Sequence, residues 1–257
     1  VGILMGNKVG ETMNAKNRPV ALITGATSGI GAAIAHRLDA EGFSVILHSR
    51  NTVEVGRAMA ARMTSAIYLQ ADLADERARV RLVKEAGAHW GRLDVLVNNA
   101  GISGVIAHTD LQAAGPAIWR ELHEVNVIAP WQLITEAEPY LRRSEAAPCI
   151  INIASHAGIR PKGASIPYAV SKAGLVHMTK LLAVALAPAI RVNAIAPGLV
   201  DTPMTASWSA AQNLWRERAP MGRAASPEDI AEIAIMFTKS KYVTGEIVLA
   251  DGGLNLT

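Results

Sequence analysis

Seven short aliphatic runs punctuate the chain: Val20 to Ile23, Val45 to Leu47, Ile67 to Leu69, Val95 to Val97, Ile150 to Ile153, Ile190 to Ile195 and Ile247 to Leu249. They read as continuous rather than alternating runs, which suits strands covered on both faces, the situation in a parallel sheet. Helical patterns lie between them. Ile30, Ile34 and Leu38 fall at i, i+4 and i+8, with Gly42 as a stop signal. Further helices are predicted over Val53 to Met63, Asp75 to Trp90, Ala117 to Arg143, Tyr168 to Ala187 and Pro227 to Phe237, with Pro130 and Pro139 expected to shorten or kink the fourth of these six. The helix near Tyr168 carries Val170, Gly174, Met178, Leu181 and Ala185 on one face. Strands alternating with helices predict an α/β fold, a doubly wound Rossmann-type arrangement with a seven-stranded, mostly parallel sheet flanked by helices. No repeat or long linker divides it, so the expected organisation is a flexible N-terminal extension, residues 1–18, and a single domain, residues 19–257.

Composition narrows the function classes. Half of the 257 residues are apolar and only 4% aromatic, so the core is aliphatic and a disordered chain is excluded. The net charge is +3 and the cations are scattered, which gives no support for a nucleic-acid or membrane partner. The longest apolar candidate for a span, Leu181 to Ile190, is interrupted by Pro188, and the N-terminus has no secretory pattern. A lone Cys149 in an aliphatic strand reads as core. A cytoplasmic protein is the expectation.

The first strand runs into Thr24-Gly25-Ala26-Thr27-Ser28-Gly29-Ile30-Gly31, which opens the first helix. Glycines there let the backbone bend sharply and approach a pyrophosphate, with the helix N-terminus facing the anion. This spacing resembles the compact, single-domain branch of the short-chain dehydrogenase/reductase family, of the 3-oxoacyl-carrier-protein reductase type. Other marks of the family follow in order: Asp72-Leu73 ends the third strand, Asn98-Asn99-Ala100-Gly101 the fourth and Pro197-Gly198 the sixth. The likeness spans roughly Arg18 to Gly253. It implies a cofactor site of Gly25, Thr27, Ser28, Ile30, Ser49, Arg50, Asp72, Leu73, Asn98, Ala100, Gly101, Tyr168, Lys172, Pro197, Gly198, Val200 and Thr202.

Tyr168 and Lys172, four apart on a helix, share a face. A phenol titrates near 10, and an ammonium one turn away is expected to bring it toward the working range. Ser155, thirteen residues earlier, can place a hydroxyl beside the same substrate oxygen. The resemblance implies that Tyr168 gives a proton to a carbonyl being reduced or takes it from an alcohol being oxidised. It also implies that Lys172 holds the nicotinamide ribose, Ser155 orients the carbonyl, and Asn126 supports a water relay to the lysine. Ala154 and Pro167 depart from the family's usual neighbours of the serine and tyrosine.

The second strand ends His48-Ser49-Arg50-Asn51. Ser49 stands where an NAD-preferring site needs a carboxylate, and the neighbouring guanidinium suits a 2′-phosphate, so NADP(H) is expected over NAD(H). The histidines lack zinc-motif spacing, Ser155 lacks the glycines of a nucleophile elbow, and no metal is expected. Met204 to Met221, with Trp208 and Trp215, reads either as a mobile lid or as interface or core, and Ile102, Ser103, His156, Ala157 and Leu199 are further wall candidates. An apolar or ring-bearing ketone and a 3-oxoacyl thioester stay open as substrates. The resemblance further implies a homotetramer. An NAD-dependent alcohol dehydrogenase, or a dinucleotide sensor without chemistry, are the rival functions.

Overall fold

A computed structural model describes residues 18–257, so the expected N-terminal extension lies outside the described residues except for Arg18. The chain order is β1 (Val20–Ile23), α1 (Gly29–Ala40), β2 (Ser44–Ser49), α2 (Val53–Arg62), β3 (Ala66–Gln70), α3 (Glu76–His89) and β4 (Val95–Asn98). There follow α4 (Pro116–His123), α5 (Ala129–Leu141), β5 (Cys149–Ile153), α6 (Ile166–Leu186), β6 (Arg191–Pro197), α7 (Ser209–Arg218), α8 (Pro227–Lys239) and β7 (Ile247–Ala250).

The strands form one sheet in the order β3-β2-β1-β4-β5-β6-β7, and every pairing is parallel. The chain steps outward from β1 to β3 and then returns to place β4 on the other side of β1. That reversal opens a crevice at the carboxyl ends of β1 and β4, where ligands of such sheets bind.

The continuous aliphatic runs have a two-faced cause. Val20, Leu22 and Ile46 pack toward the layer built by α3, α5 and α6, while Ala21, Ile23, Val45 and Leu47 pack toward α1 and α8. β6 differs from the expected pattern, because it alternates polar residues that are nonetheless buried. Arg191 donates to the carbonyls of Phe237 and Ala147 at 2.7 and 3.0 Å, and Asn193 bridges Val243 and Glu246. These side chains satisfy loop carbonyls that burial would otherwise orphan.

The single helix expected over Ala117 to Arg143 is two helices. Pro130 has no N–H for the carbonyl of Asn126, and the chain answers with a wider π turn over Glu124–Ile128 in which the Ala129 N–H reaches the Glu124 carbonyl. Pro139 stays inside α5. α6 begins before Tyr168: Ser165 caps it by accepting from the Tyr168 N–H, and Pro167 sits in the first turn, where a missing N–H leaves nothing unpaired. Its expected apolar stripe faces outward, with Val170 and Leu181 exposed, while Ser171, Lys172, Leu175, Thr179 and Leu182 form the buried face. By length this 21-residue helix outruns the ten-residue stretch that the sequence singled out and that overlaps its end. α7 lies within the stretch read as a lid.

The turn after β1 depends on two glycines. Gly25 has φ +64°, the left-handed region that favours glycine. A Cβ on Gly31 would fall 2.2 Å from the Gly25 carbonyl oxygen and 2.4 Å from Asn99 Nδ2. Gly31→Ala is therefore expected to cost about 1–3 kcal/mol in urea unfolding and to weaken dinucleotide binding. Stability and binding equal to the parent's would show that the turn tolerates the methyl group.

Candidate active site

The turn Thr24 to Gly31 is clamped from β4 and β2. Thr24 Oγ1 accepts from the N–H groups of Asn99 and Ala100, both at 3.0 Å, and Asn99 Nδ2 donates back to the carbonyls of Thr24 and Gly25 at 2.8 and 3.0 Å. His48 completes the clamp: the Gly25 N–H donates to its Nδ1 at 3.3 Å, and its Nε2 lies 3.1 Å from the Ala71 carbonyl. Burial pushes this imidazole down to about 4, so at neutral pH it is neutral. The carbonyl partner fixes the proton on Nε2 and leaves Nδ1 to accept. Sequence reasoning quoted His48 and Asn99 within longer runs and gave neither a role of its own. The only signal for His48 was a polar residue closing the aliphatic run of β2.

Beyond β2 the hydroxyls of Ser49, Tyr68, Thr52 and Thr27 form a chain of contacts between 2.6 and 2.9 Å. Arg50 is exposed, and its backbone carbonyl accepts from Gln70 Nε2 at 2.8 Å. A cavity of about 980 Å³ runs from this corner to α7. Its walls include Gly25, Ser28, Ile30, Ser49, Arg50, Asp72, Leu73, Ala100, Gly101, Ser155, Tyr168, Lys172, Pro197, Gly198, Val200 and Thr202. Asp72 and Leu73 stand just past the end of β3 rather than in it. Thr202 also closes on the glycine turn, its Cγ2 only 3.0 Å from where a Gly29 Cβ would lie. The lining fits an elongated ligand with phosphates at the glycine turn, one end near Arg50 and the other near Tyr168.

Three expected residues stand behind this wall rather than in it. Thr27 turns to Thr52. Asn98 donates to Asn152, which donates to Thr179, a buried ladder joining β4, β5 and α6. Asn126, in the π turn, accepts from the Ile102 N–H and donates to the Ile102 carbonyl and Ser171 Oγ, each at 3.0 Å. A Cβ on Gly101 would lie 3.1 Å from Asn126 Oδ1 and 3.3 Å from Lys172 Nζ, so the chain after β4 passes between these two polar groups.

Ser155 caps the one-turn helix His156–Gly158, with Oγ accepting from the Ala157 N–H at 3.1 Å. Lys172 is buried and donates to the Ile153 carbonyl, the last of β5, at 2.9 Å. Among the described residues no carboxylate pairs with it, and burial pushes it down to about 8. Its Nζ is 6.0 Å from the centre of the Tyr168 ring. The expected lowering of the phenol by this ammonium is not what the protein alone displays. Burial pushes Tyr168 up, and the Ser155 hydroxyl pulls it the other way. The reason is geometric: the amine is turned to the Ile153 carbonyl, and the enclosed ring loses water that would solvate a phenolate.

The far end of the cavity is walled by Trp208, Leu214 and Trp215. Ile102, His156, Ala157 and Leu199 join that wall and Ser103 does not. No group of three or more His, Cys, Asp or Glu side chains able to hold a metal occurs among the described residues. Cys149 is buried in β5, and its thiol is raised to about 11 by that burial.

A family model described as enoyl-(acyl carrier protein) reductase matches residues 25–255. A Streptomyces violaceoruber protein named as ketoacyl reductase 2 of the granaticin polyketide synthase is 46% identical over 95% of this chain and 98% of its own. Cis-4-hydroxycyclohexanecarboxylate dehydrogenase of Sinomonas cyclohexanicum is 37% identical over 91% of this chain and 95% of its own. A 3-oxoacyl-acyl-carrier-protein reductase of Thermotoga maritima is 33% identical over 91% and 97%. Among solved structures, a dehydrogenase/reductase of Sinorhizobium meliloti superposes with a TM-score of 0.85 at 35% identity, covering 92% of this chain and 95% of that one. A mutant short-chain dehydrogenase/reductase of Serratia marcescens gives 0.84 at 32% identity over 94% and 99%. The chain belongs to the short-chain dehydrogenase/reductase family and is an NAD(P)-dependent oxidoreductase acting between CH–OH and C=O groups.

Proposed function

We propose that the protein reduces a ketone to a secondary alcohol with NADPH, using Ser155, Tyr168 and Lys172. The observation that carries this reading is the state of Lys172. A buried ammonium has three donors, and the fold uses one of them, on the Ile153 carbonyl. An unpaired buried cation is costly, and here it lines the cavity, so its spare donors suit the ribose hydroxyls of a dinucleotide. The bound nicotinamide supplies the hydride.

The rest falls to the side chains. Ser155 Oγ holds the carbonyl oxygen. Tyr168, kept as a phenol by its burial, gives that oxygen its proton, which favours reduction near neutral pH. Lys172 positions the ribose and, once its amine faces both groups, offsets the charge left on the phenolate. Asn126 ties Ile102 to Ser171 of α6 behind them and is read as the support of a proton relay. At the adenosine end, β2 closes on Ser49 and its hydroxyl neighbours where a carboxylate would receive a 2′-hydroxyl, and Arg50 supplies a guanidinium for a 2′-phosphate.

The relatives' names support a ketone substrate, because two of them name ketoacyl or 3-oxoacyl reductases. The family model's description names enoyl reduction instead. A hydroxyl beside a phenol suits an oxygen acceptor better than a carbon one. Ile128, Trp131, Val170, Leu181 and Val184 leave apolar surface exposed on the π turn, α5 and α6, and the same reading buries it in a homotetramer. A small-molecule substrate, without nucleic acid or membrane, and a cytoplasmic setting complete it.

Tyr168→Phe is expected to bind dinucleotide as the parent does by calorimetry while turnover, followed by nicotinamide absorbance, falls at least ~100-fold. Undiminished turnover would remove Tyr168 from the proton step. With the ketone saturating and each cofactor varied across its own KM, kcat/KM for NADPH should exceed that for NADH by at least ~10-fold, and Arg50→Asp should shrink the ratio by a similar factor. A parent enzyme preferring NADH contradicts the assignment. Lys172 is charged below about 8 and loses its proton above it, so dinucleotide affinity should weaken as the pH rises past that value. An affinity profile flat from neutral to about pH 9 would show that the ammonium does not hold the ligand.

A further inference from the structure

We infer that His156 is a specificity residue that accepts a hydrogen bond from a hydroxyl group of the substrate, and that the enzyme selects hydroxylated aromatic ketones. The inference rests on the reading that Ser155 and Tyr168 hold the reacting carbonyl.

His156 follows Ser155 directly and lines the same cavity, only 6% exposed. Its backbone carbonyl is used, accepting from the N–H groups of Ile159 and Arg160. Its ring is not. Nε2 is buried without a hydrogen bond, 3.5 Å from Asp251 Oδ2. That separation is too long for a charge-assisted bond, which runs about 2.7–2.9 Å. The carboxylate cannot close the gap freely, because Oδ1 and Oδ2 already accept from the N–H groups of Gly253 and Asn255 at 3.0 and 2.8 Å. An imidazole placed beside the reacting serine and left underused by the fold is a polar group kept for a ligand.

The facing charges decide what that ligand offers. Asp251 favours the charged ring, whereas burial, Arg160 and Lys162 favour the neutral one and prevail. A neutral imidazole has one N–H and one lone pair. The nearby carboxylate favours the proton on Nε2, which leaves the lone pair on Nδ1, a nitrogen with no hydrogen bond among the described residues, and a lone pair needs a donor. A phenol or enol supplies one, while the two carbonyls of a simple 3-oxoacyl thioester do not. Trp215 stands edge-on to the imidazole at 6.1 Å, and Trp208 lines the same end of the cavity. In a chain with 4% aromatic residues, this concentration favours a flat ring.

The test compares tetralone, its isomers bearing one hydroxyl on the aromatic ring, and a 3-oxoacyl thioester as substrates of the full-length enzyme with NADPH. At least one hydroxylated isomer should exceed tetralone in kcat/KM by about 10-fold or more, mainly through KM, since a site built to hydrogen-bond a hydroxyl rejects the analogue lacking it. His156→Phe keeps a ring and removes both nitrogens, and should abolish that discrimination. His156→Gln restores an acceptor and should recover part of it. Equal rates for tetralone and all its isomers, a preference surviving in His156→Phe, or reduction of the thioester but of no tetralone would each overturn the assignment. Reduction of none of the compounds overturns it too. The ketone-reductase reading itself falls only if the thioester is also left untouched.

Discussion

The site is organised around a cation that the fold leaves unneutralised. Lys172 stands on the buried face of α6 with its amine on the last carbonyl of β5, and no carboxylate among the described residues answers it. That arrangement exists because β5 and α6 are held together beneath it by the Asn98–Asn152–Thr179 ladder and beside it by Asn126. The protein spends stability to hold the ammonium there, as its shift down to about 8 shows. Electrostatic preorganisation of this kind costs no rearrangement at the moment of reaction.

The same logic operates at the other end of the cavity. The glycine turn gives up side chains so that its backbone can approach a ligand, and neighbouring residues then hold the bare backbone in place. Asn99, Thr24 and His48 do this with neutral hydrogen bonds from three adjacent strand ends. Because His48 is neutral, the positive field at the turn is that of the backbone N–H groups and the helix N-terminus alone. Between the two ends, Gly101 lets the chain thread past Asn126 and Lys172. Positioning is shared among residues that do not touch the reacting atoms.

Much of this was legible in the sequence. The strands were visible because residues buried from both sides must be apolar at successive positions, and the motifs at their carboxyl ends fell in family order. Local chemistry that depends on a distant partner was not legible. His48 looks like any polar strand end until Ala71 and Gly25 are beside it. The π turn follows from Pro130, but its location could be read only once Asn126 was seen tied to Ile102. α7 was missed because its short apolar face of Ala211, Leu214 and Trp215 turns to the cavity rather than into the core, and none of its residues is buried. The outward stripe of α6 was read as an ordinary helix face because periodicity finds an apolar face without saying what covers it. The phenol's direction of shift was misjudged for a similar reason. Spacing placed an ammonium one turn away, but the amine's partner and the loss of water around the ring set the balance.

The most direct measurement is a crystal structure of the enzyme with reduced dinucleotide bound. The account predicts Lys172 Nζ within hydrogen-bonding distance of the nicotinamide ribose while it keeps the Ile153 carbonyl, with the Tyr168 and Ser155 hydroxyls open toward the nicotinamide ring. A nicotinamide ring lying away from Tyr168, or a ribose with no contact to Lys172, would contradict it.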